Sequence, residues 1–77
     1  MKKVIIYTTP TCVYCKMAKA LFQEKGVHYE EKDVVSDEKA REEMLNKSHQ
    51  LGVPVIDIEN EIFVGFDKQA LLQALGL

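Results

Sequence analysis

The sequence predicts one small α/β domain in the order βαβαββα, with a mixed four-stranded sheet flanked by three helices. Its first half shows a strand, a helix and a strand, which implies parallel strands joined by a right-handed crossover. After a middle helix, two strands joined by a tight turn add an antiparallel pair before the last helix. The chain has 77 residues, of which 47% are hydrophobic and 29% charged. We therefore expect residues 1–77 to form a single globular domain.

The first three elements follow from apolar spacing and from helix-breaking residues. Val4–Thr8 is apolar at consecutive positions, which predicts a strand buried on both faces in the middle of the sheet. Pro10 ends that strand, and a helix is expected from residue 11 or 12 to residue 25, with Gly26 as its stop. Its apolar stripe consists of Ala18, Leu21, Phe22 and Lys25. Residues 27–35, rich in charge, are predicted as an edge strand.

The second half of the chain begins with a helix that we expect Ser36 to cap. Its apolar stripe is sparse, which predicts a helix lying flat on the surface, and consists of Ala40, Met44 and Leu51. Residues 53–58 and 61–65 are predicted as a hairpin turning at residues 59–60. Asp67 should cap a last helix whose inner face carries Ala70, Leu71, Leu72, Ala74 and Leu75.

Charge and hydropathy exclude several classes of function. Ten Lys and Arg residues against twelve Asp and Glu residues give a formal net charge of −2, which offers no basic surface for nucleic acid. The apolar run at residues 4–7 is too short for a signal-peptide core or a membrane span. We therefore expect a cytoplasmic protein without membrane or nucleic-acid partners, and a monomer by default. In that compartment a cysteine pair is more often catalytic or metal-binding than structural.

Cys12 and Cys15 are the two cysteines, and they fall where the first strand gives way to the first helix. The unpaired N–H groups and the positive end of the helix dipole favour a thiolate there. Cys15 lies one helical turn after Cys12, so the two sulfurs can meet and close a disulfide. Cys12, at the exposed tip, is expected to be the nucleophile, and Cys15, inside the first turn, the resolving thiol.

A second hypothesis uses the same two thiolates as a binding module for a soft metal, Cu(I) or Zn(II). A closed zinc site needs four protein ligands, and the chain supplies two cysteines. His28 and His49 are interpreted as solvated side chains on an edge strand and at the end of a surface helix. A plain structural role for the cysteines is the third interpretation.

Two further segments have both an ordinary and a functional interpretation. Pro54 within a strand pattern indicates either an edge strand with a trans peptide bond or a special backbone. Gly65, Phe66 and Asp67 could be only a strand end, a turn and a helix cap. They could equally form an exposed helix start that binds an anionic group, with Phe66 as a hydrophobic contact. Tyr14, between the cysteines, is expected to be exposed.

The run at residues 7–15 (YTTPTCVYC), with Val53-Pro54 and the Gly65 segment downstream, resembles the glutaredoxin-like proteins over nearly the whole chain. The resemblance implies the thioredoxin fold, with the first strand central beside the third and the second and fourth strands at the edges. It also implies a cis proline beside the reactive cysteine and a Val53 backbone that pairs with the substrate. The implied substrate groove is lined by Thr11, Tyr14, Val53, Pro54, Gly65, Phe66 and Asp67.

The match to the branches of this family is mixed. Glutaredoxins that use glutathione commonly carry Cys-Pro-Tyr-Cys, a preceding lysine, Thr-Val-Pro and Gly-Gly-x-Asp. This chain has Val13, Thr9, Gly52 and Phe66 at the differing positions. Val13 and the Gly-Phe pair are similar to NrdH-type redoxins, which take electrons from thioredoxin reductase. Those redoxins usually carry a nearby tryptophan, which is missing here, and an arginine where this chain has Asp67. The overall pattern is most similar to small YruB-type glutaredoxin-like proteins.

The resemblance and the cysteine pair together predict a dithiol–disulfide oxidoreductase. The expected partners are disulfide-containing proteins, ribonucleotide reductase being one compatible substrate. Either thioredoxin reductase or glutathione is the expected reductant. No prosthetic cofactor is expected, and glutathione would act as a co-substrate.

Overall fold

The computed structural model describes residues 2–77, and its elements follow the predicted order. They are β1 (Val4–Thr8), α1 (Val13–Glu24), β2 (Glu30–Asp33), α2 (Glu38–Ser48), β3 (Val55–Ile58), β4 (Glu61–Val64) and α3 (Lys68–Leu75). Within the described residues, no helix is both long and apolar enough to cross a membrane.

The four strands form one mixed sheet in the order β2-β1-β3-β4. β1 pairs with β2 in parallel and with β3 antiparallel, and β3 pairs antiparallel with β4. The predicted arrangement, with the first and third strands in the middle, is therefore confirmed. In this register Val55 lies opposite both Tyr7 and Val64, so β1 and β4 end at the edge of the sheet where β3 begins.

The sheet separates two apolar clusters. On the face covered by α1 and α3 the buried residues are Val4, Ile6, Ala18, Leu21, Phe22, Ile56, Ile58 and Leu71. On the α2 face they are Ile5, Tyr7, Val34, Ala40, Met44 and Val55. Because successive strand residues point to opposite faces, β1 and β3 contribute to both clusters and are buried throughout.

The end of α1 makes β2 shorter than predicted. Gly26, at φ 68°, donates its N–H to Gln23 O, and Val27 donates its N–H to Phe22 O. These two bonds form a Schellman motif, so the backbone of Val27 belongs to the helix end and not to a strand. The predicted strand over residues 27–35 is thus wrong at both ends, and Lys25 is an exposed helix cap instead of a core residue.

Asp37, not the predicted Ser36, caps α2. Its Oδ1 accepts the N–H of Ala40 at 3.1 Å, while Asp33 Oδ1 accepts the N–H of Val35 at 2.8 Å. The Asp33 side chain stabilises a turn that delays the helix start by one residue. At the other end α2 stops at Ser48, so Leu51 lies beyond the helix and is exposed, contrary to the predicted stripe.

Candidate active site

The two cysteines lie at the sheet edge where β1 and β4 end and β3 begins. Cys12 is the N-cap of α1, and the structure shows Cys12 and Cys15 joined by a disulfide, with their Cα atoms 5.2 Å apart. Cys12 is partly exposed, whereas Cys15 is 1% exposed. Access from solvent is therefore through the Cys12 sulfur, which is the order of exposure expected from the sequence.

The backbone of the first turn of α1 supplies one hydrogen bond to the Cys12 sulfur. Cys12 Sγ accepts the N–H of Cys15 at 3.1 Å, so the reactive atom is itself the side-chain cap of α1. The first turn of α1 contains no acidic residue that would compete for its N–H groups. A negative charge on Cys12 Sγ would thus be stabilised by one direct N–H donor and by the helix dipole.

Pro54 and Gly65 are bonded to each other at the same edge. The Val53-Pro54 peptide bond is cis, and Pro54 is buried. Gly65, at φ 86°, donates its N–H to Pro54 O at 2.8 Å. This φ lies in the left-handed region that favours glycine, which explains the residue type at that turn. The bond holds the β4–α3 connection against the start of β3.

Phe66 and Asp67 continue from Gly65 into α3. Phe66 is half-buried and packs against the cluster under α1 and α3. Asp67 is exposed and caps α3 by accepting the N–H of Ala70 at 3.1 Å, which confirms the predicted cap. Its Oδ1 is thus engaged in the cap, while the carboxylate still faces solvent.

Exposed apolar side chains follow Cys12 along α1. Val13 is 66% exposed, Tyr14 60% and Met17 45%. The exposure of Tyr14 agrees with the sequence prediction, and Thr11 before Cys12 is exposed as well. Side chains of this kind are expected where a partner protein covers the surface.

The structure adds a groove between α1 and α3 that the sequence patterns did not predict. Its lining consists of Met17, Ala20, Leu21, Glu24, Phe66 and Lys68. The groove joins Phe66 to the exposed surface of α1, so it extends the predicted substrate groove away from Cys12. The exposed Met17 on the first helix was the sequence signal for this groove, but interpreting it required knowing where α3 lies.

Two ion pairs join helices to strands of the sheet, α1 to β2 and α2 to β3. Lys19 on α1 contacts Glu31 Oε2 at 2.8 Å, and Thr8 donates its hydroxyl to the same oxygen at 2.9 Å. The Lys19 hydrogen bond holds the pKa of the Glu31 carboxyl below its ordinary value of 4.5. On the other face, Lys47 contacts Asp57 Oδ2 at 2.7 Å. These pairs stabilise the scaffold beneath the cysteines and do not touch them.

Residues 2–77 contain no group of three or more His, Cys, Asp or Glu side chains placed to hold a metal ion. His28 and His49 are both exposed, at separate places in the fold. The geometry at Cys12 and Cys15 therefore supplies two sulfur ligands, with no third residue of these types beside them.

Comparison with known proteins agrees with this geometry. Residues 4–64 match the Glutaredoxin family model. A glutaredoxin-like 8.6 kDa protein in the rubredoxin operon of Clostridium pasteurianum is 48% identical over 63 residues, which cover 82% of this chain and 84% of that protein. Glutaredoxin 3 of Escherichia coli is 41% identical over 76 residues, covering 99% of this chain and 92% of that protein.

The solved structures give the same result for the fold. A crystallised variant of the thioredoxin-like protein BC3987 superposes with a TM-score of 0.92 at 34% identity, covering 99% of this chain and 97% of that one. The sheet order, the cysteine pair and the sequence match agree with one another. This chain belongs to the glutaredoxin family, whose members are thiol–disulfide oxidoreductases that act on disulfide substrates with a reductant.

Proposed function

We propose that this glutaredoxin-like domain reduces disulfides in proteins, with Cys12 as the nucleophile and Cys15 as the resolving thiol. The observation that carries the assignment is the difference in exposure between the two sulfurs. Cys12 is partly exposed and its sulfur accepts the Cys15 N–H, whereas Cys15 is 1% exposed. A substrate disulfide can therefore reach Cys12 from solvent, whereas Cys15 is covered.

The reaction proceeds in two exchange steps. The Cys12 thiolate attacks one sulfur of the substrate disulfide, forms a mixed disulfide and releases the other substrate sulfur as a thiolate. The Cys15 thiolate then attacks Cys12 Sγ, forms the Cys12–Cys15 disulfide and releases the second substrate thiolate. The substrate gains two electrons and the protein loses two, so a reductant must restore the dithiol before the next turnover.

The substrate groove of this proposal surrounds Cys12 at one edge of the sheet. Thr11 precedes the cysteine in the turn before α1 and Tyr14 follows it in α1, and the Val53 backbone offers pairing groups beside Pro54. Gly65, Phe66 and Asp67 close the other side through the bond from Gly65 to Pro54. The exposed apolar surface at Val13, Tyr14 and Met17 supports a protein substrate, because a small disulfide would leave it uncovered.

For the reductant we favour a thioredoxin reductase. Thr9 supplies no positive charge for a glutathione carboxylate, and the Phe66 side chain fills the position where glutathione users commonly have glycine. Glutathione remains the second candidate, supported by the 41% identity to Escherichia coli glutaredoxin 3. Either reductant would require a reducing compartment such as the cytoplasm, and we take the protein to act there as a monomer.

Trapping tests the roles of the cysteines. Cys15→Ser should accumulate a mixed disulfide between Cys12 and a substrate protein, because the resolving step is lost. Cys12→Ser should give neither turnover nor a trapped species. Equal trapping by the two variants, seen on non-reducing gels, would overturn the assignment of nucleophile and resolving thiol.

A coupled assay separates the reductants. NADPH consumption is followed with insulin as the disulfide substrate, in one arm with thioredoxin reductase and in the other with glutathione and glutathione reductase. Turnover in the first arm alone agrees with the proposal, and turnover only with glutathione contradicts the choice of reductant. If both arms are silent with intact thiols, and anaerobically purified protein holds one equivalent of copper or zinc, the metal-binding hypothesis replaces the proposal.

A further inference from the structure

The loop between α2 and β3 is held by the side chain of Gln50. We propose that Gln50 is a positioning residue, which fixes the backbone at Gly52 and Val53 in the conformation that pairs with a peptide substrate. This inference rests on the proposed function, because it concerns how a protein disulfide is presented to Cys12. We call the hydrogen-bonded set of Ser48, Gln50 and Gly52 the carboxamide clamp.

Gln50 bonds both backbone groups of Gly52 with one side chain. Gln50 Oε1 accepts the N–H of Gly52, and Gln50 Nε2 donates to Gly52 O at 3.1 Å. The same Nε2 donates to Ser48 Oγ at 3.1 Å. A carboxamide carries both an acceptor and donors, so it can satisfy an N–H and a C=O of the same residue.

Gly52 is the residue that admits this carboxamide. A Cβ added at Gly52 would lie 2.7 Å from Gln50 Oε1, which is too close for an ordinary contact. No backbone conformation requires glycine here, because the φ of Gly52 lies outside the left-handed region. The missing Cβ of Gly52 therefore leaves room for the Gln50 carboxamide in this place, and a larger residue would displace the carboxamide.

Ser48 anchors the clamp to α2. Its hydroxyl lies 2.6 Å from Met44 O and 3.0 Å from Gln50 O, within donating distance of both. Met44 is 1% exposed in the core on this face of the sheet. The loop that leads into Val53-Pro54 is thus connected through Ser48 to a buried turn of the helix.

The next residue is the one whose backbone a substrate would use. Val53 neither donates nor accepts a hydrogen bond through its backbone within residues 2–77. An extended substrate segment can therefore pair with it, and a backbone already held in place loses less conformational freedom on binding. The clamp should speed reaction with disulfides that carry peptide groups and should not affect disulfides that lack them.

The experiment compares two disulfides in single-turnover oxidation of the reduced protein. One is a synthetic peptide with an intramolecular disulfide, and the other is 2-hydroxyethyl disulfide, which has no amide to pair with Val53. The variants are Gln50→Ala, which removes the clamp, Gly52→Ala, which displaces the carboxamide, and their combination. Gln73→Ala, an exposed glutamine on α3, is the matched control.

Each single variant should lower the rate constant with the peptide by about threefold to tenfold, the effect of one or two ordinary hydrogen bonds. The rate constant with 2-hydroxyethyl disulfide should change by less than about twofold. The combination should be no slower than either single variant, because both changes break the same clamp. In wild-type protein, hydrogen exchange of the Gly52 amide should be slower than in Gln50→Ala.

An equal fall in the rate constant with both disulfides, or no fall with the peptide, would overturn the positioning role of Gln50. Additive losses in the combined variant would overturn the idea of one shared clamp. A wild-type protein that oxidises with neither disulfide contradicts the proposed function and the clamp's role together. A working wild type beside an unchanged Gln50→Ala contradicts the clamp alone.

Discussion

Replacing Lys47 by methionine should destabilise the fold by about 2–3 kcal/mol, because two buried side chains depend on its ammonium group. Lys47 Nζ donates to Asp57 Oδ2 at 2.7 Å and to the Tyr7 hydroxyl at 2.8 Å. Asp57 is 5% exposed and Tyr7 is fully buried. The change Lys47→Met keeps most of the aliphatic stem and removes only the charge and the donors.

The magnitude follows from the groups left behind. A lost hydrogen bond to a charged group costs about 1.5–3 kcal/mol, and a neutral one about 0.5–1.5 kcal/mol. Tyr7 still donates to Glu43 Oε1 at 2.8 Å, so losing the Lys47–Tyr7 hydrogen bond should cost an amount at the low end of the neutral range. The Lys47 side chain is 29% exposed, so water partly replaces the ammonium group and lowers the sum.

Thermal unfolding at pH 7 measures this effect against Lys39→Met. Lys39 is exposed on the same helix and takes part in none of the three ion pairs found in residues 2–77. The Tm of Lys47→Met should lie about 8–24 °C below that of the control, since 1 kcal/mol corresponds to roughly 4–8 °C in a domain of this size. A difference under about 2 °C would refute the claim that Asp57 needs Lys47.

Two further measurements test the same cause. Adding Asp57→Asn to Lys47→Met should recover part of the lost stability, because the buried carboxylate that has lost its ammonium partner is then removed. Burial opposes the charge on Lys47, but its hydrogen bonds to Asp57 and Tyr7 prevail and raise its pKa above 10.5. The stability that Lys47 contributes is therefore fully present below pH 10.5 and is lost as the pH rises through the higher folded-state pKa.

Three other changes should have smaller effects. Glu31→Gln should lower the free energy of unfolding by at most about 0.5 kcal/mol above pH 4.5. Because the folded-state pKa of Glu31 is lowered, this stability difference from wild type, measured by urea titration, should vanish as the pH falls through that pKa. His49→Gly should stabilise the protein by about 0.5–1 kcal/mol and so raise its Tm. The reason is that His49 ends α2 at φ 60°, a left-handed conformation that favours glycine. Asp67→Ala should cost about 1 kcal/mol through loss of the α3 cap, whereas Asp67→Ser should keep the stability and raise only the KM for a protein disulfide.

Each of these has a contrary result. If the stability difference between Glu31→Gln and wild type persists unchanged at about pH 2, that difference does not arise from the Lys19–Glu31 ion pair. A lower Tm for His49→Gly would mean that the imidazole makes a stabilising contact stronger than the relief at φ 60°. An unchanged KM in Asp67→Ser would confine Asp67 to capping.

The order of elements and the cysteine site could be predicted because their signals are local. The consecutive apolar residues of β1, the breaks at Pro10 and Gly26, and the cap at Asp67 act within a few residues of themselves. The predicted helix and strand boundaries were wrong where two local signals competed. The hydrogen bonds of the Asp33 and Asp37 side chains place the start of α2 after Ser36. The Schellman motif at the end of α1 makes Val27 part of the helix end and not of β2.

The family resemblance predicted which segments meet, and the structure gave their contacts. The hydrogen bond from Gly65 to Pro54 depends on β3 and β4 lying side by side. The groove that includes Met17 depends on where α3 packs against α1. No spacing within the sequence measures such distances between separate elements.

The sequence alone determined that this chain is a small α/β domain with a dithiol at a helix start, because hydrophobic periodicity and helix termini are properties of neighbouring residues. Only the tertiary structure decided which charges are buried and that the Gln50 carboxamide occupies the space beside Gly52. Burial, ion pairing and steric exclusion arise when distant segments come together. That is why Lys47 and Gln50, unremarkable in the sequence, become the residues whose replacement is most informative.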